Sequence, residues 1–112
     1  ISLIALADDS QAPGVFQAAA DLDLSVPGDL SILGFGNQDH RSASALGLTT
    51  VEWPLKDMTE AAVTSIINVI EERSPITDIH PRASIEEESA DGTPIATIPT
   101  RPVWRSSVAR RA

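Results

Sequence analysis

Two adjacent aspartates, Asp8 and Asp9, follow the apolar run ISLIALA, and Asn37 and Gln38 follow a second run ending Gly34-Phe35-Gly36. Neighbouring carboxylates can work as a general acid and base pair, but no activated nucleophile or metal-ligand set accompanies these two. At a helix start such residues serve as caps for free N–H groups, favoured by the helix dipole. Asp8, Asn37 and Gln38 fit ligand binding better than catalysis. A few polar groups converging on a cleft can accept hydrogen bonds from a small molecule's hydroxyls.

Other chemistries lack their residues. A dinucleotide fingerprint on Gly34-Phe35-Gly36 needs a third glycine where Asp39 stands, and then a clear helix. No glycine precedes a Lys-Ser or Lys-Thr pair, so a P-loop is absent, and Gly-x-Ser-x-Gly does not occur. His40 and His80 fall in polar stretches. Asp39-His40, or His80 with Glu86, Glu87 and Glu88, are metal-ligating types without fixed spacing on one rigid element. Solvated loop histidines are expected, with no metal, no cofactor and no catalytic residue.

Composition narrows the partners. The chain has 112 residues, 42% hydrophobic and 21% charged, in the range of one packed domain rather than a disordered segment. A net charge of −8, two Phe, two Trp and no Tyr disfavour general nucleic-acid binding. No cysteine is present, so nothing points to disulfides or an oxidising compartment. No apolar run approaches the ~20 residues of a membrane span. The start lacks the basic segment of a signal peptide, and a cytoplasmic location with no membrane partner is expected. The acids concentrate in residues 1–75, where eleven face three bases. Arg101, Arg105, Arg110 and Arg111 near the end alternate with other residues, which suits a docked strand and a solvated tail better than an arm for nucleic acid.

The elements that must position these residues are readable. Ser2 to Ala7 is a continuous apolar run, expected as a strand buried on both faces. A helix follows from about Ser10 to Leu22, with Ala12, Val15, Phe16 and Ala19 on one face and Pro13 tolerated in the first turn. After the turn Val26-Pro27-Gly28-Asp29, Leu30 to Phe35 forms a second buried strand. This βαβ unit makes the two strands parallel, so their exits at Asp8 and Gly36-Asn37 share one sheet edge, where open α/β sheets bind ligands. Residues 37–47 read as irregular. Leu48 to Glu52 is a third strand, and Pro54 opens a helix to about Arg73. Its broad stripe, Leu55, Met58, Ala62, Ile66, Val69 and Ile70, widened by Val63 and Ile67, is expected to pack on a sheet. Residues 76–93 read as an exposed, mobile loop, and Thr93–Thr97 and Pro102–Arg105 as final strands.

ALADDSQAPGVFQAAADLDLSVPGDLSILGFGN resembles the C-terminal core of LacI/GalR-type transcriptional regulators, whose pattern is Ala-Asn-Asp, a helix, a Val-Pro turn and a strand ending Gly-Phe/Tyr-Asp-Asp/Asn. Leu48-Thr49-Thr50-Val51, Pro54 and the helix with Met58 and Ala62 resemble the next block. Val103-Trp104-Arg105-Ser106-Ser107 resembles the closing motif. The match covers residues 2–73 and about 95–107. The resemblance implies an α/β fold of parallel-sheet βαβ layers, a fragment of a periplasmic-binding-protein-like type I two-lobe domain. Residues 1–48 and 100–112 would belong to the carboxyl lobe, and residues 49–99 to the crossover, helix and loop of the other lobe. It implies a sugar or nucleobase-like effector, a homodimer, and operator DNA bound only through an amino-terminal domain absent from this chain. Ser10, Pro13, Gly14 and Gln17 would lie at the dimer interface. The sugar-binding component of a transporter shares the fold and is the alternative. Departures fall at the site: Asp8 stands for the family's Asn, Gly36 for its Asp, and Asp23 for its turn glycine, so Asn37 is expected to substitute as a ligand contact.

Overall fold

The computed structural model describes residues 3–86 and 90–109. They divide into two compact units, one of residues 1–53 and 101–112 and the other of residues 54–100. The division falls after Trp53, so the third strand, grouped with the crossover in the sequence reading, pairs within the first unit.

The first unit is built on a four-stranded sheet of order β1-β2-β3-β6. Its strands are β1 (Leu3–Ala5), β2 (Ser31–Gly36), β3 (Thr49–Glu52) and β6 (Arg101–Val103). β1 and β2 run parallel with Ile4 opposite Ile32, and β2 and β3 run parallel with Gly34 opposite Thr50. β6 returns antiparallel to β3. The expected βαβ unit therefore forms. Its first strand is not buried on both faces, however: Leu3 and Ile4 are exposed, because β1 ends the sheet.

A 3-10 turn over Asp9–Gln11 leads into α1 (Ala12–Asp21), with Pro13 in the first turn. Ala12 and Ala19 are buried, and Val15 and Phe16 pack on a core of Ala12, Leu30, Ile32, Ala43 and Leu48. Asp23, past the helix end, takes φ +54°, the left-handed conformation that glycine adopts without strain. The stretch expected to be irregular contains α2 (His40–Ala45), capped by Asp39 and anchored by buried Ala43. Six residues with one core contact leave almost no periodicity to read.

The second unit holds α3 (Leu55–Ile70) and an antiparallel pair, β4 (Ser84–Glu86) with β5 (Ile95–Thr97). The loop expected over 76–93 thus carries a strand and the buried Ile79. The expected sheet-packing stripe of α3 is overturned as well. Leu55, Met58, Val63, Ile66, Ile67, Val69 and Ile70 are all exposed, and the helix buries Ala61 and Asn68 instead. Among the described residues this unit offers a two-stranded pair, too narrow to cover so wide a stripe. Among the described residues, no helix is long and apolar enough to cross a membrane.

Candidate functional site

The exits of β1 and β2 meet because their strands are parallel neighbours. Asp8 caps the turn that follows: its Oδ1 accepts from the Ser10 N–H at 2.8 Å, while Gln11 Oε1 accepts from the Ala7 and Asp8 N–H groups at 3.1 and 3.4 Å. The Ser10 hydroxyl, then its N–H, holds the Asp8 carboxyl below the usual carboxylate range. Asp9 turns toward the sheet. Its Oδ2 accepts from the Asn37 N–H at 2.8 Å and its Oδ1 from the Thr50 hydroxyl at 2.7 Å. One carboxylate thereby joins the segment after β1 to the end of β2 and to β3. Gly34 makes room for it, since a Cβ there would lie 2.1 Å from Asp9 Oδ1 and 2.8 Å from Leu48 Cδ2. Gly36, at φ +119°, needs glycine for its backbone.

Asn37 is engaged elsewhere. It is buried, its Nδ2 donates to Glu52 Oε1 at 2.9 Å, and its Oδ1 accepts from Arg105 Nη2 at 3.1 Å. Glu52 also receives the Arg101 guanidinium, and these bonds, Arg101 first and Asn37 next, lower its carboxyl below the usual range. Asn37, expected as a ligand contact, is not among the residues lining the cleft beside it, and each end of its amide makes a hydrogen bond inside the unit.

Asp8 and Gly36 do line one cleft, of about 320 Å3. Its polar wall is Asp8, Asp9, Ser10, Gln38, Asp39 and Ser42, and its apolar wall is Pro13, Phe35, Ala43 and Leu46. Asp39 and Ser42 were missed from sequence. They arrive on the short α2, where Asp39 Oδ1 and Oδ2 accept from the Ser42 N–H at 3.2 Å and its hydroxyl at 2.7 Å. Those bonds lower the Asp39 carboxyl, the hydroxyl contributing most. The one sequence signal was an aspartate three residues ahead of a serine, a cap spacing without an apolar run behind it. The cleft can accept hydrogen bonds from hydroxyl or amino groups and has Phe35 among its apolar lining.

Of the residues assigned to a dimer face, Ser10, Pro13, Gly14 and Gln17 are all exposed, and Ser10 and Pro13 also border the cleft. Gln17 Nε2 donates to Asp21 Oδ1 at 2.8 Å.

His40 is exposed at the start of α2. His80 is not the solvated histidine expected: its side chain is 10% exposed, with Nε2 3.5 Å from Asp57 and 3.4 Å from Glu60. These three groups are close enough to surround a cation. Yet Nδ1 accepts from the Arg82 N–H at 3.1 Å. A neutral imidazole with an accepting Nδ1 carries its proton on Nε2, which then donates to the carboxylates and has no lone pair for a metal. The cluster fastens the loop after α3 to that helix, helped by the Arg82–Asp57 ion pair. Glu87 and Glu88, the other acids considered with His80, lie outside the described residues.

Residues 2–108 match the model of the periplasmic binding protein-like domain. The HTH-type transcriptional repressor PurR of Serratia proteamaculans (strain 568) is 32% identical over 87 residues, covering 75% of this chain and 26% of that protein. A LacI-family transcriptional regulator from Burkhoderia phymatum matches with a TM-score of 0.64 and 26% identity over 98% of this chain and 34% of that one. A LacI-family regulator from Enterococcus faecalis V583, solved with bound ribose, matches in fold with a TM-score of 0.65 and 23% identity, over 96% of this chain and 34% of its own. The chain spans about a quarter of the length of the curated relatives it matches. These findings bear out the LacI/GalR resemblance carried by the sequence motifs.

Proposed function

The chain belongs to the periplasmic binding protein-like domain family, and from that premise we propose that it is the C-terminal part of the effector-binding region of a cytoplasmic LacI-type regulator. The observation that carries the reading is the cleft at the carboxyl ends of parallel β1 and β2, with Asp8 and Gly36 at its floor. Open α/β sheets take ligands at that edge. A small, donor-rich effector such as a sugar fits its carboxylates, hydroxyls and single aromatic wall, in keeping with the ribose in the Enterococcus faecalis regulator. The first unit then belongs to the carboxyl lobe and the second to the other lobe.

Ser10, Pro13, Gly14 and Gln17 are spaced as one helical face and exposed, which suits a face buried by a second copy. DNA contact is assigned to a segment outside this chain, as the repressor relatives' name suggests. Effector occupancy would shift operator affinity by binding one state of the dimer better than the other.

The test uses the full-length protein. Operator fragments are selected from genomic DNA by repeated binding, and then challenged with sugars and nucleobases in gel-shift titrations. The expected result is a shifted fragment whose affinity changes with one compound, while the 112-residue chain alone shifts nothing. DNA retarded by this chain alone, or no selected fragment from the full protein, overturns the proposal.

A further inference from the structure

We infer that the cleft of the first unit selects an effector bearing hydrogen-bond donors and no anionic group, with an amine-bearing polyol as the favoured chemistry. The inference rests on the reading of that cleft as the effector site, and adds the charge class of what enters it.

Three carboxylates, Asp8, Asp9 and Asp39, line the cleft, and among the described residues no Lys, Arg or His does. Asp9 is committed to Asn37 and Thr50. Asp8 and Asp39 are caps, and capping fixes their geometry without exhausting them. An ionised carboxylate has about four lone-pair sites, and the two bonds that Ser42 makes to Asp39 leave acceptor capacity over. Both carboxyls are ionised at neutral pH, and the bonds from Ser10 and Ser42 push them further below the usual carboxylate range. Helix amino termini ordinarily attract anions. Here each one is already occupied by its own aspartate, so an anionic ligand meets carboxylates where it would need N–H groups.

Gly36 shapes the floor between two of these partners. A Cβ on it would stand 4.0 Å from Asp8 Oδ2 and 3.9 Å from Gln38 Cγ. The absent side chain leaves open space beside a carboxylate oxygen. An ammonium or hydroxyl that reaches Asp8 through that space makes a charge-assisted hydrogen bond, and Phe35 adds an apolar side chain to the lining.

Isothermal titration of the full-length protein at pH 7, with glucose, glucosamine, glucose 6-phosphate, adenosine and adenosine 5′-monophosphate, tests this. Glucosamine is expected to bind at least ~10-fold more tightly than glucose 6-phosphate, and adenosine more tightly than its monophosphate. Asp8→Asn and Asp39→Asn keep a good cap and are expected to narrow both gaps several-fold. Ser42→Trp, with its fold checked by circular dichroism, fills the cleft and is expected to abolish binding. A phosphate ester bound as tightly as its uncharged or amine counterpart, and lost in Ser42→Trp, overturns the charge class and leaves the effector site standing. No binding by any probe, or binding indifferent to Ser42→Trp, overturns the effector site and the charge class together.

Discussion

Asp9 accepts one hydrogen bond from the backbone after β2 and one from Thr50, whose side chain is fully buried on β3. Removing that carboxylate leaves a buried hydroxyl and an N–H without their acceptor, a cost of about 1–3 kcal/mol. Asp9→Ala is therefore expected to lower the urea midpoint with an unchanged slope, and an unchanged midpoint would show that water replaces the carboxylate freely. Acid should weaken the same edge. Glu52 in the fold sits below its ordinary 4.5, held first by the Arg101 bond and next by Asn37, and Asp8 and Asp39 sit below 3.8 through serine bonds. A depressed carboxyl contributes stability in full above its unfolded value and loses it as pH falls through the folded one. Melting temperature is expected to drop as pH falls below these ordinary values. Glu52→Gln should flatten that drop, and an identical pH profile for the variant would remove Glu52 from the account. At this scale the two exits and the cap at Asp8 were legible, because short polar residues directly after an apolar run have few other uses. The destination of Asn37 was not, since it depends on Glu52 and Arg105, which come from distant parts of the chain.

The closing segment acts as a stitch between strands rather than only as an edge. Ser107, buried, donates its hydroxyl to the Ile32 carbonyl at 2.6 Å and accepts from the Thr49 N–H at 2.8 Å, while the Ile32 N–H donates to its carbonyl at 2.8 Å. Arg105 adds an N–H to the Thr49 hydroxyl and a guanidinium to the Leu48 carbonyl. Ser107→Ala deletes one donor and one acceptor in the interior at once. The expected loss is about 1–3 kcal/mol in chemical denaturation, with faster hydrogen exchange at Thr49. Unaltered protection of that amide would mean another acceptor takes over. Apolar runs made β2 and β3 readable, and the match of Ser106-Ser107 to a closing motif marked the segment without revealing its partners. Strand choice is set by contacts some sixty to eighty positions apart, such as Thr49 with Ser107 and Ile32 with Ser107. α2 escaped for the opposite reason, having one buried residue, Ala43, and no repeat of it.

For the molecule as a whole, the largest departure from expectation is the apolar stripe of α3. Its periodicity predicts burial, yet Ile66 is 61% and Ile70 74% exposed, and no described residue of this chain covers them. Beside the helix lies an apolar cavity of about 570 Å3, bordered by Met58, Ala62, Ile76 and Ile79 among others. A contiguous apolar surface on a soluble chain marks either a contact or an aggregation hazard. We propose that the remainder of the longer protein buries this stripe, since the relatives extend well beyond the matched segment. Two measurements separate that from a helix designed for solvent. In the isolated chain, Ile66→Glu with Ile70→Glu should change stability by no more than about 0.5 kcal/mol, while sedimentation velocity shows less self-association than the parent. In the full-length protein the same pair places two charges in a packed interior and should cost several kcal/mol, roughly the 2–5 kcal/mol of a core isoleucine lost or more. Equal tolerance in both settings would leave α3 bare in the full-length protein, and its stripe would then need a partner from outside the chain.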